Sequence, residues 1–284
     1  MAPSRRLPIA REDEIAEFAE FIANEYCPTG IVDPETILEA NRISFSYGDY
    51  GDAFDGMLEC KGRRFHVFCN TDRGSPRGSP RARFTLAHEL GHYFIDEHRN
   101  ALLSGVDPHY SQTEYESGSL VEMEADAFAS NLLLPRSRFL AEGKRTPLGL
   151  AGVIALSRHF STSITATAIR YTREELVPCT IIKWNEDGFG WKWFSPETFR
   201  AGFRKTIETR DDLPADSATE LAFSRAIPEN SEVHQCGSTA SLWFPFLGES
   251  SSRSVILHEE AISLGRFGVL TFLYPDGGTY APRW

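Results

Sequence analysis

Two histidines four residues apart restrict the fold of this chain more than any other feature. They belong to the stretch HELGH at residues 88–92, inside a segment from Phe84 to about Glu97 whose apolar residues recur at helical spacing. Side chains four residues apart project from one face of a helix, and this face also carries apolar residues. Both imidazoles are therefore expected to be buried, so the fold must bring other polar groups to them.

HELGH matches the pattern H-E-x-x-H, in which both histidines bind one Zn²⁺ ion at about 2.0–2.1 Å. We therefore predict His88 and His92 as metal ligands, with one zinc ion per chain. Glu89 lies about 100° further around the helix, at the rim of the site. From there it can take a proton from water that the metal has made more acidic and pass it to a leaving amine. Glu89 is thus the predicted catalytic base.

A catalytic zinc needs a third protein ligand, and His98 is one candidate. It lies where the pattern HExxHxxGxxH places its third histidine. That pattern has a glycine at the position of Ile95, because the chain must turn back there at positive φ, a conformation that a β-branched residue disfavours. The sequence therefore predicts His98 at the surface or in the last helical turn, away from the metal.

The other candidate ligand lies in the stretch LVEMEADAF at residues 120–128, at the start of a predicted helix that Pro135 ends. At about 100° per residue, Glu122 and Asp126 share one face, whereas Glu124 points about 200° away from Glu122. We expect Glu122 to complete the ligand set. Asp126 is placed to accept a hydrogen bond from the other ring nitrogen of a metal-bound histidine, and Glu124 is expected to face water.

The segments FTLAHELGHYF and EMEADAFASNLLLP together resemble the ImmA/IrrE family of zinc metallopeptidases. That family combines an HExxH helix with a later helix of the pattern E-x-E-A-x-x-F-A-x-x-L-L-x-P. The resemblance implies a gluzincin-type site with His88, His92 and Glu122 as ligands and Glu89 as base. It also implies an endopeptidase that cleaves a helix-turn-helix transcriptional repressor, relieving repression in a stress, mobile-element or phage-defence response. The sequence ends this motif with LLLP where the family usually has LLMP, at a position that supplies no ligand.

Two parts of such a peptidase site stay open. A tyrosine or histidine in the connection after His98 is expected to help stabilise the oxyanion, and His109, Tyr110 and Tyr115 are the candidates. The strand predicted at residues 63–69 is a candidate edge strand for pairing with substrate backbone.

The remaining pattern predicts an α+β fold class. Residues 1–175 are expected to form a zincin-like, mainly helical peptidase domain with a small β-sheet, including a helix-turn-helix-like segment at 136–175. After Leu176 the pattern changes to aromatic strands, which predicts an α/β domain over residues 176–284. By the resemblance, this second domain is a GAF-like sensor or regulatory domain.

Two other functions fit parts of the sequence. In the first, the helix-turn-helix-like segment makes the chain a DNA-binding transcriptional regulator. Its candidate recognition helix balances Arg170 and Arg173 with Glu174 and Glu175, which leaves little net positive charge for phosphate contacts. In the second, the chain is a zinc-containing ligand sensor without peptidase activity. Glu89 argues against this, because a purely structural site has no use for that acid.

Charge and composition limit the expected partners. A net charge of -11 predicts no general attraction to nucleic acid or anionic membranes. A local exception is the Arg73–Arg83 loop, which single-stranded nucleic acid could reach as an activator, while a small ligand of residues 176–284 is the other candidate activator. The five cysteines are widely spaced and form no CxxC pair, which predicts neither a disulfide framework nor a cysteine zinc site. Without a recognisable signal peptide or membrane span, we expect a cytoplasmic protein.

Overall fold

The computed structural model describes residues 7–72, 75–105, 119–224, 232–245 and 255–276, and the backbone of residues 110–111. Helices and strands alternate irregularly, and the predicted α+β class is confirmed at that level. In chain order the elements are α1 Ile9–Tyr26, α2 Pro34–Ala40, β1 Ser44–Gly48, β2 Gly56–Lys61, β3 Arg64–Asn70, α3 Pro80–Phe94, α4 Asp96–Leu103, β4 Tyr110–Ser111, α5 Leu120–Leu133, α6 Arg136–Gly143, α7 Leu150–Phe160, α8 Ile164–Arg173, β5 Thr180–Asn185, β6 Gly188–Phe194, α9 Pro196–Arg200, α10 Ala218–Ser224, β7 Val233–Thr239, α11 Ala240–Trp243, β8 Ile256–Ser263 and β9 Val269–Pro275.

The described residues form two compact units. The first contains the residues up to Phe139 together with Ser157–Ser163, and the second contains Leu140–Leu156 and the residues from Ile164 onwards. This division passes through the helix-turn-helix-like segment 136–175, and so it does not coincide with the boundary predicted near residue 176. That boundary stays a prediction about domains, as do the zincin-like and GAF-like assignments.

Local sequence explains where the two central helices of the first unit begin and end. The side chain of Ser79 accepts a hydrogen bond from the backbone N–H of Ala82, and Pro80 occupies the first helical position of α3. Helix α3 stops at Phe94, because Ile95 adopts an extended conformation with φ -73° and ψ 113°. Helix α5 stops just before Pro135, which cannot continue a helix. The two helices pack against each other and against α1, around a core of buried aliphatic and aromatic side chains.

A four-stranded sheet with the order β1-β3-β2-β4 covers the other side of α3. Strand β1 runs parallel to β3, and β2 runs antiparallel to both β3 and β4. Gly62 and Arg63 form the tight turn of the β2–β3 hairpin with positive φ angles. Strand β3 therefore has neighbours on both sides, which rules out the candidate role of residues 63–69 as an edge strand for substrate. The outer neighbour of β2 is β4, whose described residues, Tyr110 and Ser111, pair with Met57 and Gly56.

The second unit is built on an antiparallel five-stranded sheet with the order β6-β5-β9-β8-β7. Its core includes the fully buried indole rings of Trp184 and Trp243. Adjacent carboxylates of β8, Glu259 and Glu260, are both buried and point to opposite faces of the sheet, as successive strand residues must. Glu259 accepts hydrogen bonds from the backbone N–H of Thr219 and the indole N–H of Trp243.

Helices α7 and α8 lie in the segment predicted to be helix-turn-helix-like, with Ser161 between them at φ 53°. Six of the ten residues of α8 are buried. The helix packs against the sheet of the second unit, where the Tyr171 ring lies edge-on to Phe272. Arg173 is exposed, yet its guanidinium stands over the Trp193 ring at 5.1 Å. Helix α8 thus offers little free surface for the recognition-helix role in DNA binding.

None of the described helices combines the length with the apolar composition that crossing a lipid bilayer requires.

Candidate metal centre

Close packing of two helix backbones places the centre. Gly91 on α3 faces α5, and a Cβ atom at this position would lie 3.1 Å from the Cα atom and 3.2 Å from the carbonyl oxygen of Ala125. Such a separation is shorter than an ordinary van der Waals contact. The glycine therefore lets α5 approach α3 closely, and this approach brings the carboxylates of α5 to the histidines of α3.

His88, His92 and Glu122 converge in the interior of the first unit. The Nε2 atoms of the two histidines are 3.1 Å apart, and carboxylate oxygens of Glu122 lie 3.2 Å from His88 Nε2 and 3.5 Å from His92 Nε2. All three side chains are buried, and the potential ligand atoms lie within 4.8 Å of one another. In the described part of the chain, no other such group of histidine, cysteine or acidic side chains occurs.

These distances fit a tetrahedral zinc site. With bonds of about 2.0–2.1 Å, the ligand atoms of a tetrahedron stand about 3.3–3.4 Å apart, which matches the observed 3.1, 3.2 and 3.5 Å. Two imidazole nitrogens and one carboxylate form the donor set typical of a catalytic zinc, which leaves a fourth position for water or substrate. The site could therefore hold a metal ion of this kind.

Asp126 lies one turn beyond Glu122 and contacts the other nitrogen of His88, with 2.8 Å between Oδ1 and Nδ1. Burial by itself would lower the pKa of His88, but the hydrogen bonds to Asp126 and Glu122 outweigh it and raise the pKa to about 10. A bound cation would compete with the proton that these hydrogen bonds favour on His88. The position of Asp126 is the one expected from helical spacing, and its role as orienter of His88 stays a prediction.

Glu89 is fully buried rather than placed at an open rim. Its side chain lies against β2, where a Cβ atom at Gly56 would come within 2.6 Å of Glu89 Oε1 and 2.5 Å of Thr85 Cγ2. Only glycine fits at this strand position. Gly56 and Gly91 are thus structural requirements of the centre that the spacing of the motifs did not reveal.

The middle of the chain matches a known family. Residues 76–172, from just before α3 almost to the end of α8, match the model of the M78 peptidase family, described as the IrrE N-terminal-like domain.

This part of the chain is similar to the IrrE N-terminal-like domain.

A solved structure provides a second comparison. A transcriptional regulator of Mycobacterium tuberculosis superposes on 94% of this chain and 90% of that chain, with a TM-score of 0.59 and 13% sequence identity. At this identity the similarity concerns the fold alone. No curated protein sequence matches the chain.

Two predictions about side chains of the IrrE-like domain are wrong. His98 lies neither at the surface nor in the last turn of α3: it belongs to the first turn of α4, only 4% of it is exposed, and its Nδ1 lies 3.2 Å from Nδ1 of His92. Glu124 does not simply face water either, because 15% of its side chain is exposed and it contacts both His98 and Arg11. Helical spacing correctly separated Glu124 from Glu122, but it could not show that α1 and α4 supply partners on that second side.

Arginines at the start of the IrrE-like domain bind other parts of the protein. Arg81 donates two hydrogen bonds to the carboxylate of Asp55, at 2.9 and 3.0 Å. Arg83 donates to two backbone carbonyls, and Arg77 pairs with a glutamate on α2. Arg73 lies outside the described residues. The predicted contact with single-stranded nucleic acid would thus compete with existing ion pairs.

Three residues predicted to stabilise the oxyanion have side chains outside the part of the chain that the structure describes. The side chains of His109, Tyr110 and Tyr115, the candidates for oxyanion stabilisation, belong to this group. Their assignment stays a prediction.

Proposed function

We propose that this chain is a zinc-dependent endopeptidase that cleaves a helix-turn-helix transcriptional repressor and so relieves repression. The convergence of His88, His92 and Glu122 at tetrahedral distances is the observation that carries the proposal. The match of residues 76–172 to a peptidase family model supports the class of reaction. The choice of a repressor as substrate rests on the sequence resemblance.

The residues of the centre have distinct roles in this proposal. His88 and His92 would hold the ion through Nε2 and Glu122 through its carboxylate, while Asp126 would keep the His88 ring in the orientation that presents Nε2. Zinc, when bound, supplies Lewis acidity that polarises a peptide carbonyl and makes water more acidic.

Glu89 would move the proton. It follows a ligand directly in sequence, and its carboxylate is removed from solvent, where proton transfer depends on the positioned reactants rather than on bulk water. As base it would accept a proton from the attacking water, and as acid it would deliver that proton to the departing amine nitrogen. The balance of the step is one water consumed and one peptide bond replaced by a carboxylate and a protonated amine, which together carry both protons of the water.

The proposal is tested by mixing the zinc-loaded chain with helix-turn-helix repressors from the same genome, beginning with any that neighbouring genes encode. We expect two fragments, which a chelator suppresses and zinc restores. Glu89→Gln should slow cleavage by roughly 10²–10⁴-fold while zinc binding persists, because the amide cannot accept the proton. Glu39→Gln, the same change at an exposed position of α2, is the control and should cut at the normal rate. Equal cleavage by the Glu89→Gln protein would disprove the mechanism.

Regulation by the second unit is a further part of the proposal. A cavity of about 150 Å³ lies in that unit among largely apolar side chains, including Phe203, Phe244, Leu257 and Leu273. Its size admits a small apolar group rather than a drug-sized ligand. Cleavage assays with and without small ligands, and separately with single-stranded nucleic acid, would identify the activator. Faster cleavage only with nucleic acid would count against the small-ligand route.

A further inference from the structure

We infer that His98, Glu124 and Arg11 form a hydrogen-bonded chain that positions His92 for metal binding. The inference rests on the proposed zinc site and assigns positioning roles to three side chains outside the ligand set. It gives each histidine ligand a carboxylate partner, direct for His88 and relayed through His98 for His92.

The two ring nitrogens of His92 face in different directions. Nε2 points to the converging ligand atoms, 3.1 Å from His88 Nε2 and 3.5 Å from Glu122 Oε1. Nδ1 points away from them and lies 3.2 Å from Nδ1 of His98. His98 continues the chain on its other side, where its Nε2 is 2.9 Å from Glu124 Oε2. His98 therefore stands behind His92 and does not belong to the ligand group.

With neutral rings, the proton positions follow from one requirement. A histidine that binds a metal through Nε2 needs its lone pair there, so neutral His92 carries its proton on Nδ1. That proton is donated to Nδ1 of His98, which must then be an acceptor. Neutral His98 consequently carries its own proton on Nε2 and donates it to Glu124. Every contact in the chain receives one proton, and Glu124 selects the His98 tautomer that suits His92.

Arg11 fixes the far end of the chain. Its Nε donates to Glu124 Oε1 at 2.9 Å and its Nη2 donates to Oε2 at 3.1 Å, the paired geometry that matches a guanidinium to a carboxylate. The side chains of Arg11, Glu124 and His98 are 24%, 15% and 3% exposed. Water therefore competes weakly with these bonds, and an ionised Glu124 keeps a counter-charge within contact distance.

The positions of Asp126 and Glu124 on α5 explain why His88 has a carboxylate partner directly and His92 only through His98. Asp126 follows Glu122 by one helical turn and reaches His88 directly at 2.8 Å. Glu124 projects from a different side of α5, towards α1 and α4, and its carboxylate meets His98 rather than His92. The first turn of α4, which starts at Asp96, brings the His98 imidazole into this position.

The experiment measures zinc affinity of the full chain by competition with a chromophoric chelator. His98→Phe keeps a ring of similar size but removes both nitrogens, and we expect zinc affinity to fall about 10–100-fold. Leu102→Ala is the matched control, because Leu102 is buried on the same helix and lies outside the chain of hydrogen bonds. It should lower the melting temperature and leave zinc affinity unchanged. Should His98→Phe fail to fold, Glu124→Gln and Arg11→Met break the chain further from the metal and should each weaken zinc binding.

A double substitution and a spectrum add readouts that a general loss of packing would not produce. Once His98 is replaced by Phe, Glu124→Gln should have no further effect on zinc affinity, because its route to His92 is gone. In the zinc-loaded chain with ¹⁵N-labelled histidines, the imidazole spectrum should show His98 neutral with its proton on Nε2.

The outcomes separate the inference from the proposed function. A wild-type chain that fails to bind zinc, or binds it equally after His88→Ala, refutes the proposed centre and the inference with it. If wild type binds zinc through His88 while the His98 and Glu124 variants keep full affinity, the positioning chain alone is refuted. Additive effects in the double substitution, or a His98 ring protonated on Nδ1, also overturn it.

Discussion

Replacing Gly91 by alanine tests whether the close approach of α3 and α5 sets the geometry of the metal centre. The added methyl group would lie 3.1 Å from Ala125 Cα, where about 3.5–4.0 Å is optimal for two carbon atoms. The obstructing atoms belong to the α5 backbone and cannot rotate away. The helices must therefore separate by roughly half an ångström.

The expected magnitudes differ between the metal-free and the metal-bound protein. Overpacking of this kind destabilises by about 1–3 kcal/mol, while alanine regains up to about 1 kcal/mol over glycine in a helix, so the metal-free chain should lose about 0–2 kcal/mol. Metal binding would force the helices together again, because Glu122 must return to within 3.2 and 3.5 Å of the two histidines. The strain that this separation relieves then opposes binding, and at about 1–3 kcal/mol it corresponds to a loss of roughly 5–150-fold in zinc affinity.

Urea unfolding of the metal-free chain and chelator competition for zinc measure the two quantities. Ile15→Val, a buried change on α1 that should lose about 0.5–1.5 kcal/mol, provides a control with similar destabilisation and an intact helix crossing. We expect normal zinc affinity for this control. Zinc affinity of the Gly91→Ala protein equal to that of wild type would refute the reasoning, whatever its stability.

Three further predictions concern other parts of the chain. Hydrogen bonds from Arg77 lower the pKa of Glu35, so this pair stabilises the fold above the ordinary carboxyl pKa of 4.5 and loses that effect as the pH falls through the folded-state value. The urea midpoints of wild type and Glu35→Gln should therefore differ at neutral pH and converge in acid. A difference that stays constant with pH would contradict this. Burial raises the pKa of Cys69 and of Cys179 to about 12, so at pH ~8 a fraction of only about 10⁻⁴ of each is thiolate. A disulfide reagent should therefore label neither cysteine until urea is added. Rapid labelling of either cysteine in the folded chain would contradict this prediction. In the Glu259→Gln protein, the side-chain NH₂ group would face one of the two N–H donors that now bind the carboxylate, the Thr219 backbone or the Trp243 indole. This should destabilise the second unit by roughly 1–3 kcal/mol, measured by urea unfolding followed by tryptophan fluorescence. An unchanged urea midpoint would exclude the effect.

The centre could be predicted from sequence as far as helical geometry alone determines it. The spacing of His88 and His92 fixes their common face, and the spacing of Glu122 and Asp126 does the same on the second helix. These relations hold within single helices and do not depend on tertiary packing. The same reasoning correctly set Glu124 apart from Glu122. It could not determine what packs against the side of α5 that Glu124 occupies.

Contacts between segments that are distant in sequence determine the partners and the burial of the remaining side chains. Glu124 is partnered by Arg11, which lies 113 positions away in sequence, and no local pattern connects the two. Strand order has the same character: residues 64–70 look like either strand of a hairpin, and their central position arises only because β1 adds in parallel on the other side. Local periodicity predicts the direction in which a side chain leaves its own element, whereas its burial depends on which other element covers that direction.

The arginine-rich stretch that ends in the first turn of α3 shows how this distinction affects function. Arginines among glycines and prolines suggest a solvated basic loop, but charge counted along the sequence ignores the acids that the fold brings near. Arg81 meets the nearly buried carboxylate of Asp55, and Arg83 is occupied by carbonyl oxygens. A nucleic-acid phosphate would have to replace acceptors that these guanidinium groups already contact, so the net gain per contact is smaller than for an arginine without such acceptors. Activation through the second unit requires no such exchange, which is why the small-ligand route is the stronger of the two proposals for regulation.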